Sequence, residues 1–130
     1  MNRYLTLAMS MLTGAALGAA AVSGLNAQTK APGAYAVIDI SEITDADTFT
    51  KQLLPKVPPS YLVPFGGQYL ARTDNITAID GAPPRRFVII SFDSMDKAKA
   101  FNNSPIQQEV NALRLKATKS RAFLVEGFSG

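Results

Sequence analysis

Five residues combine a chemistry-bearing side chain with a place on an extended segment: Asp39, Arg72, Arg86, Ser91 and Glu126. Asp39 is the candidate general base or ligand anchor, because a carboxylate drawn into a dry cavity gains basicity. Arg72 is the candidate clamp for an anion, since a guanidinium presents its donors as a planar fork. Arg86 follows Pro83-Pro84-Arg85 where a strand begins, a position suited to a cavity mouth. Ser91 and Glu126 add hydrogen-bonding capacity nearby. Plainer roles compete with each of these: a solvated strand end for Asp39, an ion pair between two copies for Arg72 and Glu126, a hydrated strand entrance for Arg85 and Arg86. Arg114 reads as a surface arginine of a helix and Tyr69 as a core residue. Asp45-x-Asp47 resembles half a cation site but reads as helix capping, so no metal site is expected.

What the chain lacks narrows its chemistry. It has no Cys and no His among its 130 residues. That removes disulfides, thiol nucleophiles, haem ligation through imidazole and His-based zinc, and leaves acid–base work to carboxylates, Lys or Tyr. No cofactor is expected. No phosphate loop, nucleophile elbow or paired-Cys motif is present. The formal net charge is +3, but Arg85-Arg86 is the longest basic run and no aromatic residues are interleaved with it. Nucleic acid is therefore not an expected partner.

These residues need elements to position them. Residues 1–27 read as an address rather than as part of the fold: Arg3 supplies a positive start, residues 5–25 carry no charge, and Ala27 or Gly24 offers a small residue for cleavage. A secretory signal is the first reading, with export to the periplasm. An uncleaved membrane anchor over residues 5–25 is the second, since about 20 apolar residues span a bilayer. A core helix is the third. Without Cys, lipidation of an exported chain is excluded. Residues 28–33 form a tether, and residues 34–130 form one domain of roughly a hundred residues.

Within the domain, Ala34–Ile43 alternates with a β-branched bias and reads as a first strand. Asp45 and its neighbours can cap a helix carrying Phe49, Leu53 and Leu54, which Pro55, Pro58 and Pro59 then break, leaving a second turn through Tyr61 to Val63. Gly66-Gly67 turns the chain into a second strand, Gln68–Thr73; residues 76–79 suggest a short edge segment. Arg86–Phe92 is the third strand. Ser94 caps a helix with Ala98, Ala100 and Phe101 inward, and Ser104-Pro105 restarts it with Val110, Leu113 and Ala117 continuing the apolar stripe. Residues 122–126 form the fourth strand. The order β-α-β-β-α-β is the ferredoxin-like α+β plan, with helices on one face of an antiparallel sheet.

Three motifs carry a family resemblance. Gly66-Gly67-Gln68-Tyr69-Leu70-Ala71-Arg72 resembles the "GG-x-Y-L-x-R" strand of the bacterial domain of unknown function numbered 1330. Asp80-Gly81 with Pro83-Pro84-Arg85-Arg86 is similar to a second motif of that family. Ala98 to Ser104-Pro105, then Arg114, then Arg121 through Val125-Glu126-Gly127 is similar to a third. The resemblance covers roughly residues 34–127. It implies a dimeric α/β barrel, in which two ferredoxin-like sheets pack face to face, a group that includes cofactor-free oxygenases and small-molecule binders. One departure stands out: the family usually has "S-P-x-Y" after an aromatic pair, and here Phe101-Asn102 leads to Ser104-Pro105-Ile106-Gln107.

Strand parity supplies a second argument for a homodimer. One face collects Ala36, Ile38, Ile40, Tyr69, Ala71, Val88, Ile90, Phe92, Phe123 and Val125, with Arg86 at its margin, and belongs under the helices. The other collects Tyr35, Val37, Asp39, Gln68, Leu70, Arg72, Phe87, Ile89, Ser91, Leu124 and Glu126. It is too apolar to face water. With strands one and three taken as parallel, Asp39, Ser91 and Gln68 gather at one end, and Arg72 and Glu126 lie at the other on opposite edges, ~14 Å apart. The expected function is a homodimeric small-molecule-binding or structural domain. The alternative is a cofactor-independent, monooxygenase-like enzyme using Asp39 or Arg72.

Overall fold

The structure, a computed structural model, describes residues 33–129. The export or anchor segment and all of the tether but Gly33 lie outside the described residues. Strand β1, Ala34–Ile43, enters the middle of a four-stranded sheet of order β2-β3-β1-β4. Strands β2 (Gln68–Thr73), β3 (Arg86–Phe92) and β4 (Thr118–Glu126) complete it. Every neighbouring pair is antiparallel. This corrects the expectation that β1 and β3 run parallel. The helical crossover after β1 returns β2 in β1's direction, so β3, which reverses after β2, must oppose both.

The crossover is irregular because its prolines forbid a regular helix. A single α-turn, α1 (Ala46–Thr48), is capped by Asp45, whose carboxylate accepts from Thr48 N and Thr48 Oγ1 at 3.1 and 2.7 Å. The chain then widens into a π turn, Phe49–Leu53, and tightens into a 3-10 turn, Leu54–Lys56, with Pro55 in its first turn where the missing N–H costs nothing. Pro58 and Pro59 end the run, and a 3-10 segment, Pro59–Phe65, follows. Gly66 closes it in the left-handed region at φ 67°. Beside it, a Cβ on Gly67 would stand 2.8 Å from the Phe92 ring, so the chain approaches β3 as only glycine can.

Helix α2 (Met95–Asn102) is capped by Ser94 and buries Ala98 and Phe101; Ala100, expected inward, is exposed. Helix α3 (Pro105–Ala117) starts from Ser104 with Pro105 in its first turn. It passes straight into β4, which begins at Thr118 rather than near residue 122, because Thr118 and Lys119 already pair with Ile43 and Glu42 of β1. Residues 76–79 form no strand. Phe101 anchors the layer of helices on the sheet, with ring centroids of Phe92, Phe65 and Tyr61 at 5.1, 5.5 and 5.7 Å. A second cluster, Ile40, Phe49, Leu53, Val57, Val110 and Ala117, packs the irregular crossover against α3 and β1.

Pairing fixes which side chains share a face, and two strands depart from the expected parity. In β2, Tyr69 stands opposite Ile90, but Ala71 rather than Leu70 stands opposite Ile89. Leu70 is thus the extra residue of a β-bulge. Beyond it Arg72 pairs with Val88, on the helix side, not on the open face where strict alternation puts it. In β4, Leu124 pairs with Ala36 and joins the core, while Phe123 and Val125 pair with Val37 and Tyr35 on the open face. Ala122-Phe123-Leu124-Val125 is apolar throughout, so its own pattern carries no parity.

Candidate functional site

Between the helices and one half of the sheet lies a cavity of about 60 Å³. Its walls are aliphatic and aromatic: Ile40, Phe49, Leu53, Val57, Val88 and Val110 among them. Its polar lining consists of Tyr61, Tyr69, Gln107 and three arginines, Arg72, Arg86 and Arg114. A second cavity of about 150 Å³ lies under α2 and α3 toward β4 and shares Ile38, Gln107 and Arg114 with the first.

Each polar side chain is placed by an identifiable device. The proline break leaves the Val57 carbonyl outside any helix, and its two lone pairs accept from Tyr69 Oη at 3.0 Å and Arg72 Nη1 at 2.6 Å. The bulge in β2 puts Tyr69 and Arg72 on one face, with the guanidinium carbon 4.8 Å from the Tyr69 ring centroid. Arg86, opposite Ile40, lies over Phe49 at 5.9 Å. Helix α3 contributes Gln107, Asn111 and Arg114 at helical spacing, within the stripe that also buries Val110 and Ala117.

A hydrogen-bond chain crosses the site. Tyr61 Oη donates to Gln107 Oε1 at 3.1 Å, Gln107 Nε2 donates to Asn111 Oδ1 at 3.2 Å, and Asn111 Nδ2 donates to Asn102 Oδ1 at 3.3 Å. Burial, with Tyr69 beside it, holds the Tyr61 phenol protonated far above the ordinary tyrosine range, so Tyr61 acts as a donor and not as a base. Arg114 is only 9% exposed. Its Nη1 donates to Ser120 Oγ at 2.7 Å, its Nη2 reaches Asn111 Oδ1 at 3.5 Å, and its buried Nε has no partner among the described residues. Burial pulls the guanidinium's pKa below its usual value.

The residues singled out from the sequence do not form one site. Asp39 lies on the open face, opposite Phe87 and Arg121, and accepts from Arg121 Nε at 3.2 Å. Ser91 shares that face but stands opposite Tyr35 and Gln68, toward the other end; the antiparallel pairing separates it from Asp39 instead of gathering them. Glu126 pairs with Ala34 and is exposed at the edge of the helix side. It and Arg72 are not open-face residues as parity placed them. Arg72 and Arg86 do come together, at the cavity, where Arg72 opposite Val88 is the diagonal neighbour of Arg86. Arg114, read as a surface residue, is buried and lines the same cavity.

Tyr61, Asn102, Gln107 and Asn111 escaped the sequence reading. The signal was available: three polar residues, 107, 111 and 114, fall inside the apolar stripe of α3. Gln107 stands where the related pattern carries Tyr, and it receives the Tyr61 phenol instead.

The chain matches the model of the family described as "Domain of unknown function (DUF1330)" over residues 33–128, and it belongs to that family. Among solved structures, it is similar to a protein of unknown function from Rhodopseudomonas palustris, with 11% identity, TM-score 0.53, and coverage of 75% of this chain and 83% of that one. A likeness at that identity shows the fold. A dimeric protein of unknown function with a ferredoxin-like fold from Bacteroides fragilis matches with 10% identity, TM-score 0.45, and coverage of 72% and 95%. No curated protein matches.

Proposed function

We propose that this chain is a homodimeric small-molecule-binding protein of the cell envelope, with its ligand site in the cleft between the helices and the sheet. One observation carries the binding reading: the cleft's two cavities, which share Ile38, Gln107 and Arg114, set apolar walls beside a connected row of polar groups that starts at Tyr61 and ends at Asn102. Specific sites for small molecules have that composition, mostly apolar with a few placed polar groups. The enzyme alternative finds less support. Asp39 lies outside the cleft, no carboxylate or lysine among the described residues lines it, and Tyr61 keeps its proton. Tyr69, the other phenol there, donates to the Val57 carbonyl, so none of the described residues lining the cleft is placed as a general base.

Residues 1–27 support the envelope location, since a charged start, an apolar run and a small-residue exit form an export address. Intact mass of protein recovered from the host envelope checks it: loss of 24 to 27 residues agrees, and a cytoplasmic full-length chain contradicts it. The binding reading is tested by NMR titration of the full chain with a set of two- to six-carbon organic compounds. Shifts concentrated at Tyr61, Gln107 and Asn111 are expected; a set that leaves all three unmoved refutes the cleft as a ligand site.

A further inference from the structure

The cleft's charges decide what kind of molecule it suits. Among the described residues five ion pairs form: Lys51–Asp47, Lys56–Glu109, Lys97–Asp93, Lys119–Glu42 and Arg121–Asp39. The three cleft arginines take part in none of them. Arg72 and Arg86 stand diagonally on neighbouring strands, an arrangement of like charges that is unfavourable unless something negative lies between or above them. Their compensation is partial, since each lies over an aromatic ring and Arg72 also holds one neutral carbonyl.

Arg114 makes the stronger case. A buried cation is ordinarily paired with a carboxylate or fully hydrogen-bonded. Arg114 is nine-tenths buried, its acceptors are the neutral Ser120 and Asn111, and its Nε–H has no acceptor. The Nε–Nη2 edge of the guanidinium therefore keeps a side-on fork engaged, among the described residues, only by the 3.5 Å contact to Asn111; packing covers its Nε, so a ligand takes the fork as the side chain swings into the cavities it lines. That edge matches the two oxygens of a carboxylate.

We infer that the cleft binds a small aliphatic carboxylate, its oxygens on the Arg114 fork and its alkyl part against the apolar wall of Leu53, Val57 and Val88. The inference rests on the cleft being a ligand site, as proposed above. Arg72 and Arg86 supply the positive potential that draws the anion in. Inorganic phosphate suits the site less well, because its oxygens need donors on every side and most of this wall is hydrocarbon. Size sets the scale: an apolar cavity of about 150 Å³ accommodates benzene, so the 60 Å³ here takes an alkyl part of about two carbons, with the carboxylate at Arg114, which also lines the neighbouring cavity of about 150 Å³.

The test compares propionate with propionamide, which has nearly the same shape and no charge, by following the Arg Nε–H signals and backbone amides of the full chain by NMR. Propionate is expected to shift the Arg114 Nε–H signal and to bind at least tenfold tighter than propionamide. Equal affinity for the two overturns the anion assignment while leaving the cleft as a ligand site. If neither binds, the carboxylate inference falls, while the cleft as a ligand site stands or falls with the wider set of compounds. Inorganic phosphate that displaces propionate at equal concentration overturns the choice of carboxylate. Arg114→Lys keeps the charge without the fork and is expected to weaken propionate at least tenfold. Arg72→Gln, at a largely exposed side chain, provides a second variant expected to weaken it severalfold even if Arg114→Lys does not fold. Unchanged affinity in every folded variant overturns the site.

Discussion

Tyr61 illustrates how one hydroxyl ties the crossover to the helix that carries the polar row. Its phenol is the donor at the head of the chain to Gln107, and the same burial that holds its proton makes the bond hard to replace with water. Tyr61→Phe leaves Gln107 Oε1 without its donor and is expected to cost about 1–2 kcal/mol in urea unfolding. The pH dependence follows from the direction of the shift. The folded state keeps the phenolic proton where the unfolded chain releases it, so the stability tied to that proton is full below about pH 10 and is lost as pH rises further. The alkaline fall in stability should be shallower in Tyr61→Phe than in the parent protein. An equally steep fall would show that Tyr61 is not its source. Asp45 works on the acid side in the opposite sense: hydrogen bonds from the Thr48 hydroxyl and amide lower its pKa, so its contribution is present above the ordinary Asp range and lost as pH falls through the lowered value.

Helix α3 is the element on which the site depends, and its register starts at Ser104. That side chain accepts from Gln107 N at 3.3 Å and donates to Phe101 O at 2.6 Å, joining the end of α2 to the first turn of α3. Ser104→Ala should lower stability by about 1–2 kcal/mol. It should also raise amide hydrogen exchange at Gln107 more than at Val110, whereas a uniform rise along α3 would mean that the cap does not set the register locally. Such caps were legible in the sequence: Ser94, Ser104-Pro105 and Gly66 mark their boundaries by residue type alone, and the first three strands begin and end as their alternation implies. The face of each side chain was less legible. Alternation reports a face only while the strand is regular, and the bulge at Leu70 adds one residue without any Gly or Pro to announce it. In β4 four consecutive apolar residues offer no polar partner to break the symmetry, and pairing with β1 alone decides which of them points inward. Asp39 and Arg72 stand out in the sequence by residue type, yet a site is defined by which face they share. The cleft's polar row was hidden for another reason: Gln107, Asn111 and Arg114 lie within an otherwise apolar helical stripe, where sequence reading credits the apolar members.

At the scale of the whole molecule, the open face of the sheet is an apolar surface that no helix among the described residues covers. It carries Tyr35, Val37, Phe87 and Ile89 on the inner strands, Leu70 on one edge strand, and Phe123 and Val125 on the other. Leu70, Phe123 and Val125 are 58%, 47% and 43% exposed. Four strands about 4.8 Å apart and seven residues of about 3.3 Å give a plane of roughly 450 Å². That falls short of the ~800 Å² per partner of a standard interface. Phe128, 96% exposed just beyond β4, supplies part of the difference if it reaches across to a second copy. A twofold contact places this face against itself, so each apolar side chain meets an apolar surface and no new chemistry is required. Light scattering of the parent protein should therefore report twice the chain mass. Leu70→Glu and Val125→Glu together put like charges on both sides of the contact, so they cannot pair across it, and the double variant should be a folded monomer with the cleft intact. Phe128→Ser should weaken the dimer without abolishing it. A parent protein that is monomeric at high micromolar concentration would show that the sheet face is not self-complementary. It would leave the ligand cleft unaffected, because every residue of that cleft comes from one chain.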